Sequence, residues 1–225
     1  MANFKTHVGG GAALGAGIGA FAAVVGLSGD DIGLAVLMAL AACVGSVAPD
    51  IDSDSSVPFH VTFGILSLSA GTAVLVFAME RFPGDWPRIV ACSLAAVLTM
   101  WGVVGWIFRK FTRHRGMVHS IPTAALVGLT IFLLACKFGI PEWEAFLVAV
   151  SFSSGFVLHL ILDELFAAVA FRGLKIGPKK SFGSALKLTA KSRPVTFAVY
   201  AAIAAILLLN QGRLASLAQK LAEFV

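Results

Sequence analysis

Residues 145–166 read AFLVAVSFSSGFVLHLILDELF. From Ala145 to Leu162 the run is apolar enough for a spanning helix, which needs about 20 mostly apolar residues. Yet it carries His159 and ends against Asp163. A spacing of four puts both side chains on one helix face, about 5–6 Å apart at Cβ. Both can then ligate one ion, or the carboxylate can orient the imidazole of a liganding histidine. The plainer alternative is a histidine hydrogen-bonded inside a bundle, with Asp163 reaching water.

Six further apolar stretches surround this one: Gly10–Leu27, Gly33–Ala48, Val61–Met79, Ile89–Phe108, Ile121–Phe138 and Val195–Leu209. The expected fold is therefore all-α, a polytopic transmembrane helix bundle of about seven spans. Composition agrees. Apolar residues make up 58% of the 225, charged residues 13%, and mean hydropathy is +0.91. A soluble globule of this size leaves too much surface outside to hide such a chain. The same figures exclude disorder and a secreted disulfide scaffold. Cys43, Cys92 and Cys136 each sit in an apolar run and read as small hydrophobes. The expected organisation is one integral-membrane domain over 1–225, with a core at 1–170 and a basic loop plus last span at 171–225.

The first stretch holds Gly9, Gly10, Gly11, Gly15, Gly17 and Gly19. Small residues let helix backbones approach closely in lipid. No strand precedes them and no Gly-Lys-Ser/Thr follows, so a phosphate-cradling loop is not indicated. The preceding tail lacks a small-residue cleavage site, so the stretch reads as a retained span.

Charge orients the bundle. With seven spans, the side of the N-terminal tail carries twelve lysines and arginines and the other side five. The positive-inside rule makes the richer side cytoplasmic. Location in a bacterial inner membrane, with a cytoplasmic N-terminus, is the expectation. The net charge of +5 follows from this bias. No nucleic-acid partner is needed, and the basic loop from Arg172 to Arg193 suits anionic lipid.

Polar groups near membrane spans cost free energy and are functional candidates. On this topology all five histidines fall at cytoplasmic span ends, with Asp50, Asp52, Asp54 and Asp163. In APDIDSDSS, Pro49 disfavours helix at Ala48, so Asp50 and Asp52 sit on a turn. Two alternate carboxylates there suit a cation, although Asp-rich turns are often only solvated loops. In RHRGMVHSIPT, His114 and His119 are five apart, and Gly116 permits a bend between them. Arg113 and Arg115 flank them and suit an anionic substrate such as a phosphate. His7 precedes the first span and is a candidate ligand; His60 is left open. Imidazole and carboxylate without thiolate suit Zn²⁺, with Mn²⁺ or Fe as alternatives. The groups outnumber the four that a structural zinc takes and suffice for two ions. Two-metal sites commonly clamp phosphoryl oxygens.

The order Thr6-His7, Pro49-Asp50-Ile51-Asp52, His114-Arg115-Gly116 with His119-Ser120, then His159 and Asp163, resembles the LexA-regulated, membrane-bound metal-dependent hydrolase family. That family is distantly similar to zinc-dependent phospholipases C and P1-type nucleases. The resemblance implies metal-dependent hydrolysis of a phosphoester. It implies a metal site made of His7, Asp50, Asp52, His114, His119, His159 and Asp163. The sequence departs from the family pattern at Ala48, where Leu is usual, and at Met117-Val118, where a Thr usually precedes His-Ser. Arg113 and Arg115 are then expected to steady the developing charge, and a lipid or other amphiphile is the expected substrate. A divalent-cation transporter or a metal-stabilised membrane protein is the competing reading.

Overall fold

The computed structural model describes residues 2–29, 31–52, 57–111, 117, 119–168, 170–172, 175–177, 186–189 and 192–224. They form a helical membrane bundle. Helix α1 spans Phe4–Val24 and α2 Ile32–Gly45, followed by a 3-10 turn at Ala48–Asp52. Helix α3 spans Val57–Arg81. Helix α4, Trp86–Leu98, passes through a π-helical segment, Thr99–Val104, into α5, Gly105–Phe111. Then come α6, Ile121–Lys137, and α7, Glu142–Ala168. A short antiparallel ribbon pairs Ala170–Arg172 with Lys175–Gly177. Helices α8, Arg193–Leu209, and α9, Gln211–Phe224, end the chain.

All seven apolar stretches are helical, but the count of seven full spans needs correction. Four helices are long and apolar enough to cross a membrane: α1, α3, the continuous run Trp86–Lys110, and α7. A fifth arises if α8 and α9, bent by 76°, count as one broken span. The reason is length. Helix α2 has 14 residues and α6 has 17, about 21 and 26 Å at 1.5 Å per residue, against a hydrocarbon core of about 30 Å.

Helix starts are fixed by side-chain caps. Asn3, Asp31, Asp85 and Ser120 each accept an N–H from the first turn of α1, α2, α4 and α6. The cap at Asn3 starts α1 at Phe4, so His7 lies inside the helix rather than before it.

The helices group into two compact units, residues 1–49 with 115–225, and residues 50–114. In the first, α1 packs on α2, α2 on α7, and α7 on α6. Backbones approach closely. A Cβ at Gly15 would collide with the Ala39 carbonyl, and one at Gly155 with the Ala42 carbonyl. Helices α1 and α2 run antiparallel, as do α6 and α7, whereas α2 and α7 run parallel, with Met38 beside Leu147 and Ser46 beside His159. Gly19 faces Ala35 while Gly11 faces Ser46, and Phe132 meets Ala145 while Ala124 meets Phe156. The N-terminal ends of α1 and α6 thus share one end of the unit with the C-terminal ends of α2 and α7. At the other end, the Trp143 indole donates to the Leu27 carbonyl. There α9 turns back, with Leu217 against Phe132 and Ala149, Arg213 3.6 Å from Glu142 and Lys220 over Trp143.

In the second unit, α3 packs on α4. Ser93 donates to the Gly71 carbonyl at 2.8 Å. Phe59 stacks on Phe63 and lies under the Arg109 guanidinium.

Candidate metal centre

Four of the sequence-derived candidates meet at the shared end of the first unit. His7 stands in the first turn of α1, His159 and Asp163 on the last turns of α7, and His119 just before α6. None is more than 1% exposed. One ligand atom from each of His7, His159 and Asp163 lies within 4.8 Å of the others. His7 Nε2 is 3.4 Å from Asp163 Oδ1. The rings of His7 and His159 stack at 3.8 Å, 14° from parallel, and the His119 ring meets His159 edge-on at 5.5 Å.

The surroundings aim these groups. His159 Nδ1 lies 2.8 Å from the Ser46 carbonyl. A carbonyl only accepts, so Nδ1 carries the proton and Nε2 presents a lone pair, the tautomer that a ligand needs. The Ser46 hydroxyl lies 3.0 Å from the His7 carbonyl and 2.7 Å from that of Cys43, tying α2 to α1 beside the site. The Ala2 N–H donates to Asp163 Oδ1 at 3.0 Å. His119 is held by its turn. The hydroxyls of Ser120 and Thr123 both donate to the Met117 carbonyl, at 2.6 and 2.7 Å.

The donor set fits a cation. Buried polar atoms are nearly always hydrogen-bonded. Among the described residues, His7 Nδ1 and Asp163 Oδ2 are buried with no hydrogen-bond partner. Neutral imidazoles beside a carboxylate are the form that coordinates Zn²⁺ and similar ions.

The other candidates are not all in view. Asp50 lies on the 3-10 turn one residue after Pro49, and Asp52 ends that turn. Arg113, His114 and Arg115 lie outside the described residues. His60 is in the first turn of α3, exposed, and stacked on Trp101 at 5.8 Å. Ser46 and Ala2 were not singled out by sequence reasoning. A lone hydroxyl closing the apolar run Ile32–Gly45 is the one signal that marked Ser46. The main-chain N–H of Ala2 had none.

A helical membrane bundle with a buried His/Asp cluster at one end of its first unit is the class these observations define. The chain matches the family model described as YdjM inner membrane protein over residues 1–218. It belongs to that family and is an integral inner membrane protein. No curated protein and no solved structure matches it.

Proposed function

We propose that this chain is a metal-dependent hydrolase that cleaves an anionic ester, a phosphoester on an amphiphile, at the cytoplasmic face of the inner membrane. The observation that carries the reading is the buried trio His7, His159 and Asp163, with ligand atoms within 4.8 Å of one another. Burying ionisable groups between membrane helices without a compensating charge is costly. A bound divalent ion offsets that cost, and it would be held by these three, with His119 beside His159.

Zinc best suits this mixture of imidazole and carboxylate, with manganese or iron as alternatives. The resemblance adds Asp50, Asp52 and His114, enough donors for a second ion. When bound, such ions supply Lewis acidity and lower the pKa of water. In the reaction, a water oxygen bonds to phosphorus, the P–O bond to the alcohol breaks, and the alcohol takes the proton. Asp163 orients His7 and the Ser46 carbonyl orients His159, so both rings keep their donor geometry during turnover. Arg113 and Arg115 hold the anion through charge-assisted bonds. Metal loading is then separable from turnover.

The test is a panel of phosphate monoesters and diesters, lipid ones included, offered to detergent-purified protein with added Zn²⁺ or Mn²⁺. Turnover should vanish with a chelator and return with metal. Arg115→Ala should lower turnover while keeping metal content. A fully loaded protein that cleaves nothing in the panel but carries metal into proteoliposomes would make it a transporter instead.

A further inference from the structure

A groove about 450 Å³ in volume runs along an open side of the first unit. Ala13, Leu14, Gly17 and Phe21 of α1 line one wall, and Val150 and Ser154 of α7 line the other. These are the two helices that carry His7, His159 and Asp163. Ala13 and Phe21 lie six and fourteen residues beyond His7, about 9 and 21 Å along the axis. Ser154 and Leu147 lie five and twelve residues before His159, about 7 and 18 Å away. The groove therefore starts about 9 Å along the axis from the cluster and, with Leu27 in its lining, runs on toward the far end of the unit, a length that one extended acyl chain can fill.

Its chemistry is that of a hydrocarbon site. The two serines in the wall are already satisfied. Ser151 donates to the Leu147 carbonyl at 2.7 Å and Ser154 to the Val150 carbonyl at 2.8 Å. Neither hydroxyl offers its proton to the groove, which suits neither a hydrated ion nor a polar solute. Phe21 and Val150 are exposed, so the groove is open along its side, and in a membrane-spanning helix pair such an opening admits a lipid chain. Gly17 is informative as well. Gly11, Gly15 and Gly19 are each pressed against α2, but a Cβ at Gly17 would meet nothing within 4 Å. Helix packing explains the first three glycines and leaves Gly17 with empty space before it.

We propose that this groove holds one acyl chain of a phospholipid whose phosphoester headgroup reaches the His/Asp cluster. The occupant is a lipid of the surrounding leaflet, entering sideways from the bilayer. The headgroup end of this inference rests on the hydrolase reading above; the chain end does not. Long-chain phosphoesters are then preferred over short-chain ones with the same headgroup. Losing even two methylenes from the groove is worth about tenfold.

Two measurements on the full-length protein decide it. In phosphatidylcholine vesicles containing a trace of phosphatidylcholine with a diazirine on its acyl chain, light should label Gly17–Phe21 and Leu147–Ser154 above other lipid-facing helices. Gly17→Leu, which fills the groove, should reduce that labelling about tenfold, and Ala13→Phe should do the same. Ala16→Leu, exposed on the same helix but outside the groove, should not. Labelling spread evenly over the lipid-facing helices, or unchanged in both filled variants, would overturn the proposal. The second measurement is the ratio of long-chain to short-chain phosphoester turnover. A fall of about tenfold in Gly17→Leu supports the proposal. Cleavage of both with an unchanged ratio overturns it and leaves the hydrolase intact. Groove labelling without cleavage of either ester supports the chain site and sinks the hydrolase.

Discussion

His159 concentrates the physics of the site. Its Nδ1 proton is spoken for by the Ser46 carbonyl at 2.8 Å, and its other face is covered by the His7 ring. The partner on α2 is a main-chain atom, so the side chain of Ser46 has a separate role. Its hydroxyl ties the His7 and Cys43 carbonyls. Ser46→Ala should therefore lower stability by about 1 kcal/mol, the ordinary net worth of such a bond, while metal content stays at the wild-type value. Thermal unfolding in detergent and elemental analysis of the same sample check both halves. Loss of metal in Ser46→Ala would mean that the hydroxyl, not the carbonyl, positions the ring. His60 makes the opposite control. It is exposed and stacked on Trp101, so His60→Ala should leave metal content unchanged. The pairing of His159 with Asp163 was legible because helical periodicity alone fixes which residues share a face. The meeting of His7 and His119 with them was legible only as a shared leaflet and through the family resemblance, and not as contacts between particular side chains. It depends on which helix ends coincide, and that is a tertiary fact.

At the scale of helices, the bundle is set by small residues where backbones nearly touch. Gly155 lies against the Ala42 carbonyl and Gly15 against that of Ala39, whereas Gly17 has open space before it. Adding one methyl at either of the first two forces α2 away from its partner. Gly15→Ala and Gly155→Ala should each cost about 1–3 kcal/mol, the range for overpacking. Gly17→Ala should be neutral or slightly stabilising, since Ala is the better helix former. Equal melting temperatures for all three variants would contradict this division of the glycine-rich helix. The sequence marked α1 as a packing element from its glycines, yet it did not separate packed from open ones, because that needs the position of α2. It also overstated the spans. Hydropathy sees an apolar run, but α2 and α6 fall short of the bilayer thickness in length. The bend between α8 and α9 follows Leu209, where the apolar run gives way to Asn210-Gln211-Gly212. The sequence reading ended its last span at Leu209 and did not foresee that α9 turns back onto α7.

Across the whole molecule, the account joins an asymmetric charge distribution to a one-sided site. Lysines and arginines divide twelve to five if all seven apolar stretches cross, and on that topology the rule that the basic side is cytoplasmic predicts the cluster there. Single cysteines at Asp54 and Thr112, in a background lacking the native three, should resist an impermeant thiol reagent added to intact cells. Cysteines at Asp85 and Pro141 should react. Labelling at Thr112 from outside would invert the orientation and move the site to the periplasmic face. Beneath orientation and substrate lies one claim, that His7, His159 and Asp163 hold a metal ion. The most direct measurement is the metal content of purified full-length protein beside His159→Ala and Asp163→Ala. The account predicts at least one zinc, manganese or iron per chain in the parent. It predicts a fall of more than about 100-fold in affinity in each variant, beyond the 10–100-fold range of a merely orienting group. A parent free of metal after loading, or variants that keep its stoichiometry and affinity, would contradict it.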